Sequence, residues 1–212
     1  MSPAGTTSAP DGAPPPPRTL VIGCGALARE LVELIRLNAW THMTLTCLPA
    51  GWHNTPEKIA PGVRDKIRAG RAEGFERVLV AYGDCGSGGL LDAVLAEEGA
   101  TRIGGDHCYA FFRGVADFNA EFERDPTSFY LTDYLARHFE RLILRELGIA
   151  QHPELRDAYF GHYTGLTYLA QTDDPALDAA AEAAAKSLGP ASRRVRTGYG
   201  DLASFLAQSA VP

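Results

Sequence analysis

Three cysteines sit in glycine-rich stretches: Cys24 in Gly23-Cys24-Gly25, Cys85 in Gly83-Asp84-Cys85-Gly86-Ser87-Gly88-Gly89, and Cys108 in Gly104-Gly105-Asp106-His107-Cys108-Tyr109. Two histidines accompany them, His107 beside Cys108 and His53 in the segment 49–55. Thiolates are soft ligands that suit zinc and iron–sulfur clusters, and imidazole suits zinc. Cys24, Cys85 and Cys108 as ligands would leave one position open on a catalytic zinc or a four-iron cluster, where a substrate atom can bind. There is no Cys-x-x-Cys pair, so spacing does not select the metal. The same residues also support a metal-free chemistry. Glycine-rich turns and helix N-termini lower thiol pKa values, which makes Cys85 a candidate nucleophile with His107 or His53 as its base. In a third reading the cysteines are small apolar residues packed in tight turns.

Other residues carry weaker signals. Gly83, Gly86, Ser87 and Gly88 form a candidate cofactor-binding turn resembling a phosphate cradle, but no lysine follows, so it is not a P-loop. Gly23-x-Gly25 opens like a dinucleotide fingerprint. Ala28 stands in the third glycine's place and no acidic residue ends the second strand, which argues against NAD. Cys47 lies inside a strand and reads as core. His138, among charged residues, and His162, in an aromatic stretch, read as structural. Tyr130, Tyr134, Tyr159, Tyr163 and Tyr168 read as core packing or as the wall of a pocket.

The elements that position these residues follow from hydrophobic periodicity. Thr19-Leu20-Val21-Ile22 is a short β-branched run that stops at Gly23, and Leu27, Leu31, Leu34 and Ile35 then recur at helical spacing. The unit repeats at 43–48, at 77–82 and at 100–103, each a strand followed by a turn and a helix. Four alternations predict a parallel, doubly wound α/β sheet of four or five strands, Rossmann- or flavodoxin-like, with right-handed crossovers. The stretch 129–185 reads as mostly helical, an insertion before a fifth strand at 193–197 and a last helix capped by Asp201. In such sheets ligands bind beyond the carboxyl ends of the strands. Cys24, His53, Cys85, His107 and Cys108, with Tyr199 after the fifth strand, all fall on that edge. The three sulfurs are therefore expected to converge and face an open pocket.

Composition narrows the class. The chain has 212 residues, 45% of them hydrophobic and 22% charged, with a net charge of −6. That length builds one core. No lysine–arginine run exceeds Arg193-Arg194, so the footprint of a nucleic-acid binder is missing. No apolar run is long enough to span a membrane. Residues 1–18, rich in Pro, Ala and Gly and containing Pro14-Pro15-Pro16-Pro17, lack a basic start and an apolar segment. They read as a disordered tail rather than a secretory signal, leaving 19–212 as a single α/β domain. A cytoplasmic, reducing setting follows, in which the four cysteines stay unpaired.

Several motifs together resemble a bacterial and archaeal family catalogued as a domain of unknown function, number sixteen thirty-eight. They are Cys24-Gly25, His53-Asn54-Thr55-Pro56-Glu57-Lys58-Ile59, Tyr82-Gly83-Asp84-Cys85-Gly86, Gly105-Asp106-His107-Cys108-Tyr109, Tyr130-Leu131-Thr132-Asp133-Tyr134-Leu135 and Tyr168-Leu169-Ala170-Gln171-Thr172. The resemblance implies that Cys24, His53, Cys85, His107 and Cys108 belong to one shared site. Cys47 matches no family cysteine, and Ser87 stands where threonine is expected. The family's setting, beside corrinoid-dependent methyl-transfer proteins, implies one-carbon metabolism and such proteins as partners. The leading expectation is a metal- or iron–sulfur-thiolate enzyme of transferase or lyase type, or an accessory protein, handling a small-molecule substrate in methyl or sulfur metabolism. The alternatives are a non-catalytic module holding a corrinoid or protein partner, and a metal-free reactive-thiol enzyme.

Overall fold

The structure, a computed structural model, describes residues 16–209. The proposed disordered tail lies almost wholly outside the described residues. At its end Arg18 is already tied down. Its backbone N–H donates to Glu76, its guanidinium donates to the Glu73 carbonyl, and the same group lies 4.6 Å above the Phe75 ring.

The first unit is a parallel α/β sheet. Strand β1 (Thr19–Cys24) leads to helix α1 (Ala28–Leu37), β2 (Met43–Leu48) to α2 (Ile59–Ala72), β3 (Arg77–Ala81) to α3 (Leu90–Glu98), and then comes a short β4 (Thr101–Arg102). The strand order is β2-β1-β3-β4, every pair parallel. β1 and β3 are buried along nearly their whole length because helices cover both faces of the sheet. Ile22, Val80 and Val21 have no exposed surface.

Two short helices, α4 (Ala110–Arg113) and α5 (Val115–Arg124), lead into a second sheet. It contains β5 (Ser128–Thr132), β6 (Gly165–Ala170) and β7 (Ala191–Arg196), in the order β5-β6-β7 and again parallel. Between β5 and β6 lie α6 (Asp133–Phe139), which runs on as a π-helical segment (Glu140–Arg145), and α7 (Leu155–Phe160). Helix α8 (Pro175–Leu188) joins β6 to β7. The final helix α9 (Gly200–Ser209) returns to the first unit, where Leu202 and Leu206 are wholly buried in its core.

The parallel, doubly wound architecture is thus as expected, but there are two sheets rather than one. The stretch 129–185 is helical over α6, the π-helical segment, α7 and most of α8, but β5 and β6 also lie within or across it. The spacing of Leu131, Leu135 and Phe139 belongs to a strand end followed by a helix, and that of Tyr159, Tyr163, Leu166 and Leu169 to a helix end, a turn and a strand. The expected fifth strand exists as β7 but belongs to the second sheet. Asp201, rather than capping α9 alone, accepts a hydrogen bond from the Val115 N–H at 2.8 Å and ties α9 to α5. No described helix is long and apolar enough to cross a membrane.

Candidate functional site

The order β2-β1-β3-β4 reverses direction between β1 and β3, which opens a crevice at their carboxyl ends. Cys24 is the last residue of β1, and the chain turns at once through Gly25–Leu27 into α1. A Cβ on Gly25 would lie 3.0 Å from the Leu48 carbonyl oxygen, so glycine lets the turn after β1 press against the one carrying His53 after β2.

Glycine has a similar task at position 83. A Cβ there would sit 2.9 Å from the His107 backbone, so only glycine lets the loop after β3 close onto the loop after β4. Backbone bonds zip the two loops together: Asp84 N–H donates to Gly105 O at 3.1 Å, and Cys85 N–H donates to Asp106 O at 2.7 Å. Arg102 braces the second loop by donating to the Ile103 and Gly105 carbonyls while its other nitrogens hold Asp92. Cys85 adopts φ +47°, a left-handed conformation uncommon for a residue with a side chain.

The result is a compact group of sulfurs. Cys85 Sγ lies 3.4 Å from Cys108 Sγ, and the Gly83 N–H donates to Cys108 Sγ at 3.4 Å. Cys108 also contacts the Cys24 thiol, so it stands between the other two. Cys24 and Cys85 are each 5% exposed. Hydrogen bonding from Cys108, reinforced by His53, holds the Cys85 thiol well below the usual thiol range, and Cys108 likewise lowers Cys24 against the effect of burial. Cys108, hydrogen-bonded to both, is pushed up. His53 is raised, chiefly by its hydrogen bond with Cys85. His107 is lowered by burial and stays neutral.

A cavity of about 430 Å³ opens on this group. Its near wall includes Cys24, His53, Tyr82, Cys85, His107 and Cys108. The far wall comes from α4–α6, β5 and the segment between α7 and β6, including Phe129, Tyr130, Tyr134 and Tyr163. The His107 ring stacks on Tyr109 at 4.9 Å and 14°, and Tyr109 on Tyr130 at 5.8 Å and 11°, a stair of parallel rings from the sulfurs to the second sheet. Three buried polar atoms on lining residues lack hydrogen-bond partners: Tyr82 Oη, His107 Nδ1 and Tyr130 Oη.

The structure therefore brings Cys24, His53, Cys85, His107 and Cys108 to one place. Gly83, Gly86, Ser87 and Gly88 are not part of the cavity lining. Their loop is closed on itself, since the Asp84 carboxylate accepts from Ser87 Oγ at 2.6 Å, Gly88 N at 3.0 Å and Gly89 N at 2.9 Å. The amides of Gly88 and Gly89 are thus occupied by a carboxylate where a phosphate cradle would need them free. Cys47 is half-buried on β2 and outside the cavity lining. His162 is exposed rather than packed in the core, its ring tilted at 39° to that of Tyr163 with centroids 4.0 Å apart. Of the five tyrosines, Tyr130, Tyr134 and Tyr163 line the cavity, Tyr168 is buried elsewhere and Tyr159 is 45% exposed. Sequence reasoning passed over Tyr82, Tyr109 and Phe112, although the first two flank the motif glycines and cysteine.

Two parallel α/β units border an aromatic cavity, with three cysteines at the switch point of the first, so the chain is a parallel α/β protein of Rossmann- or flavodoxin-like architecture. The chain belongs to the family described as Protein of unknown function (DUF1638), whose model matches residues 47–206. His53, Cys85, His107 and Cys108 fall inside the match, and Cys24 precedes it. No curated protein and no solved structure matches the chain.

Proposed function

We propose that Cys24, Cys85 and Cys108, with His53 beside them, form a soft-metal centre, either zinc or an iron–sulfur cluster, that handles a small-molecule substrate in one-carbon or sulfur metabolism in the reducing cytoplasm. The observation that carries the reading is the meeting of three thiols from three separate strand ends, two of them 3.4 Å apart. Zn–S bonds of about 2.3 Å in a tetrahedral site put two sulfurs roughly 3.8 Å apart, so Cys85 and Cys108 need to move by only a few tenths of an ångström. Among the described residues no group of three Cys, His, Asp or Glu is already spaced as ligands of one ion. Metal binding displaces thiol protons, and loading would draw Cys24, Cys85 and Cys108 in around one ion.

A bound metal would supply a Lewis acid with an open position facing the cavity. The chain's own residues do the rest. His53 lies within hydrogen-bonding reach of Cys85, Tyr82 Oη lies beside Cys24, and aromatic side chains face the sulfurs across the cavity. The test is metal analysis of protein purified without oxygen. About one zinc, or iron with matching sulfide, per chain is expected. Cys24→Ser, Cys85→Ser and Cys108→Ser should each lose it while Cys47→Ser keeps it. Protein that is metal-free as isolated and takes up neither zinc nor a cluster on reconstitution overturns the reading.

A second reading is favoured by the contact of Cys85 with His53 and by the left-handed backbone that presents Cys85 to the cavity. Here Cys85 is a metal-free nucleophile and His53 its partner. In metal-free protein at neutral pH, iodoacetamide should then label Cys85 ahead of Cys24, Cys47 and Cys108. Equal labelling of Cys85 and Cys47 counts against it.

A further inference from the structure

The aromatic cavity also restricts what can reach the thiols. Among its lining residues there is no Asp, Glu, Lys or Arg. A carboxylate, a phosphate or an ammonium would enter a largely apolar space with no free counter-charge, at high desolvation cost. The walls instead offer ring faces: Tyr109, Phe112, Phe129, Tyr130 and Tyr134, with Phe122, 45% exposed on α5, at the surface. The parallel stack His107–Tyr109–Tyr130 sets an orientation that a further flat ring can match.

Three buried polar atoms on the lining have no partner, the hydroxyls of Tyr82 and Tyr130 and His107 Nδ1. Buried hydroxyls left unpaired cost free energy that an acceptor on a ligand would recover. A volume of about 430 Å³ is near the lower end of small-molecule sites and holds roughly 10 to 15 non-hydrogen atoms.

We propose that the cavity binds an uncharged, ring-bearing small molecule with a hydrogen-bond acceptor, its ring against Tyr109 and Tyr130 and its acceptor on the Tyr130 hydroxyl, so that it is presented to the sulfurs. This rests on the thiol group being the reactive wall of the site, and holds with or without a metal there. It names the substrate class that the proposed centre would act upon.

A four-member probe set tests it on the full-length protein by calorimetric titration: acetophenone (neutral, ring, acceptor), ethylbenzene (neutral, ring, no acceptor), benzoate (anionic) and 2-octanone (neutral, acceptor, no ring). Acetophenone should bind most tightly, with benzoate at least tenfold weaker. In Tyr130→Phe the preference for acetophenone over ethylbenzene should vanish while ethylbenzene binds as before, a change that general loss of packing would not produce. Benzoate or 2-octanone binding as tightly as acetophenone overturns the proposal, as does the absence of binding by every probe to folded protein. Metal content and uptake on reconstitution are measured on the same preparation: probe binding by protein that neither carries nor takes up metal removes the metal centre and leaves this inference standing, whereas metal-loaded protein that binds no probe does the reverse.

Discussion

At position 83 a single missing methyl group decides whether two loops can meet. A Cβ there would press on the His107 backbone, so Gly83→Ala should drive the loop after β4 away and separate Cys108 from Cys85. The expected cost is about 1–3 kcal/mol in denaturant unfolding. Metal per chain, where the preparation carries it, should fall with little change in far-UV circular dichroism. Gly104→Ala is the control. Nothing lies within 4 Å of its Cβ and its φ is not positive, so stability should hold within about 0.5 kcal/mol. Glu30 makes a different prediction. It is 5% exposed on α1, and its Oε2 has no partner. Burial raises its carboxyl above the ordinary value, Asp133 across on α6 adds to this, and Arg29 and Arg137 oppose it; Tyr199 also lies within electrostatic reach. A folded-state pKa above the unfolded one means that stability from this group is present in full below the unfolded value and is lost as pH rises through the folded one. Glu30→Gln should therefore raise Tm above neutral pH, with the gap closing by about pH 4. A gap that stays constant with pH would show that Glu30 does not titrate in this way.

Among elements, the join between β6 and α6 hangs on one carboxylate. Asp133, first residue of α6 and 2% exposed, accepts from Tyr168 Oη at 2.8 Å, Gln171 N at 3.0 Å, Thr172 N at 3.0 Å and Thr172 Oγ1 at 2.6 Å. Its own N–H donates to Gln171 Oε1 at 2.8 Å. The network fixes where β6 ends and α6 begins, and so the placing of Tyr134 and Leu135 on the cavity wall. Bonds to a charged group contribute about 1.5–3 kcal/mol each, and removing their shared acceptor strands several buried donors. Asp133→Ala should cost about 3 kcal/mol or more in urea unfolding, and Tyr168→Phe about 1 kcal/mol. Similar small losses for both would show that water replaces the carboxylate.

At the scale of the whole molecule, α9 binds the two units into one folding entity. It follows β7 of the second sheet yet buries Leu202 and Leu206 in the core of the first. Gly200 starts it at φ +47°, and a Cβ there would lie 2.3 Å from the Phe111 carbonyl oxygen and 2.4 Å from that of Phe112. Both the backbone conformation and the space require glycine. Gly200→Ala should cost about 2–4 kcal/mol and loosen α9 from α4. Because α9 cannot leave the first core without releasing β7, unfolding should proceed in one transition. Calorimetric and van't Hoff enthalpies should then agree; two resolved steps would mean that the units unfold separately.

The first unit was legible in the chain alone. Apolar runs mark β1, β2 and β3, the first and third ended by glycine and the second by Pro49, and the parallel winding that they imply puts their following turns, with Cys24, His53, Cys85, His107 and Cys108, on one edge. These are local signals, since periodicity and turn residues act over a few positions. Of the second sheet only β7 was legible. Ser128–Thr132 runs directly into α6, so Leu131, Leu135 and Phe139 share a helical spacing that crosses the boundary; only pairing with Gly165–Ala170 makes it a strand. Pairing partners lie far apart in sequence and leave no periodic mark at either segment. The glycine turn at 83–89 shows the same limit, because its composition suits a phosphate while Asp84 folds back to occupy its amides. Local sequence determined which residues stand at the strand ends; the close approach of the loops decided that the Cys85 and Cys108 sulfurs touch, and long-range pairing of β5 with β6 decided that an aromatic wall faces them.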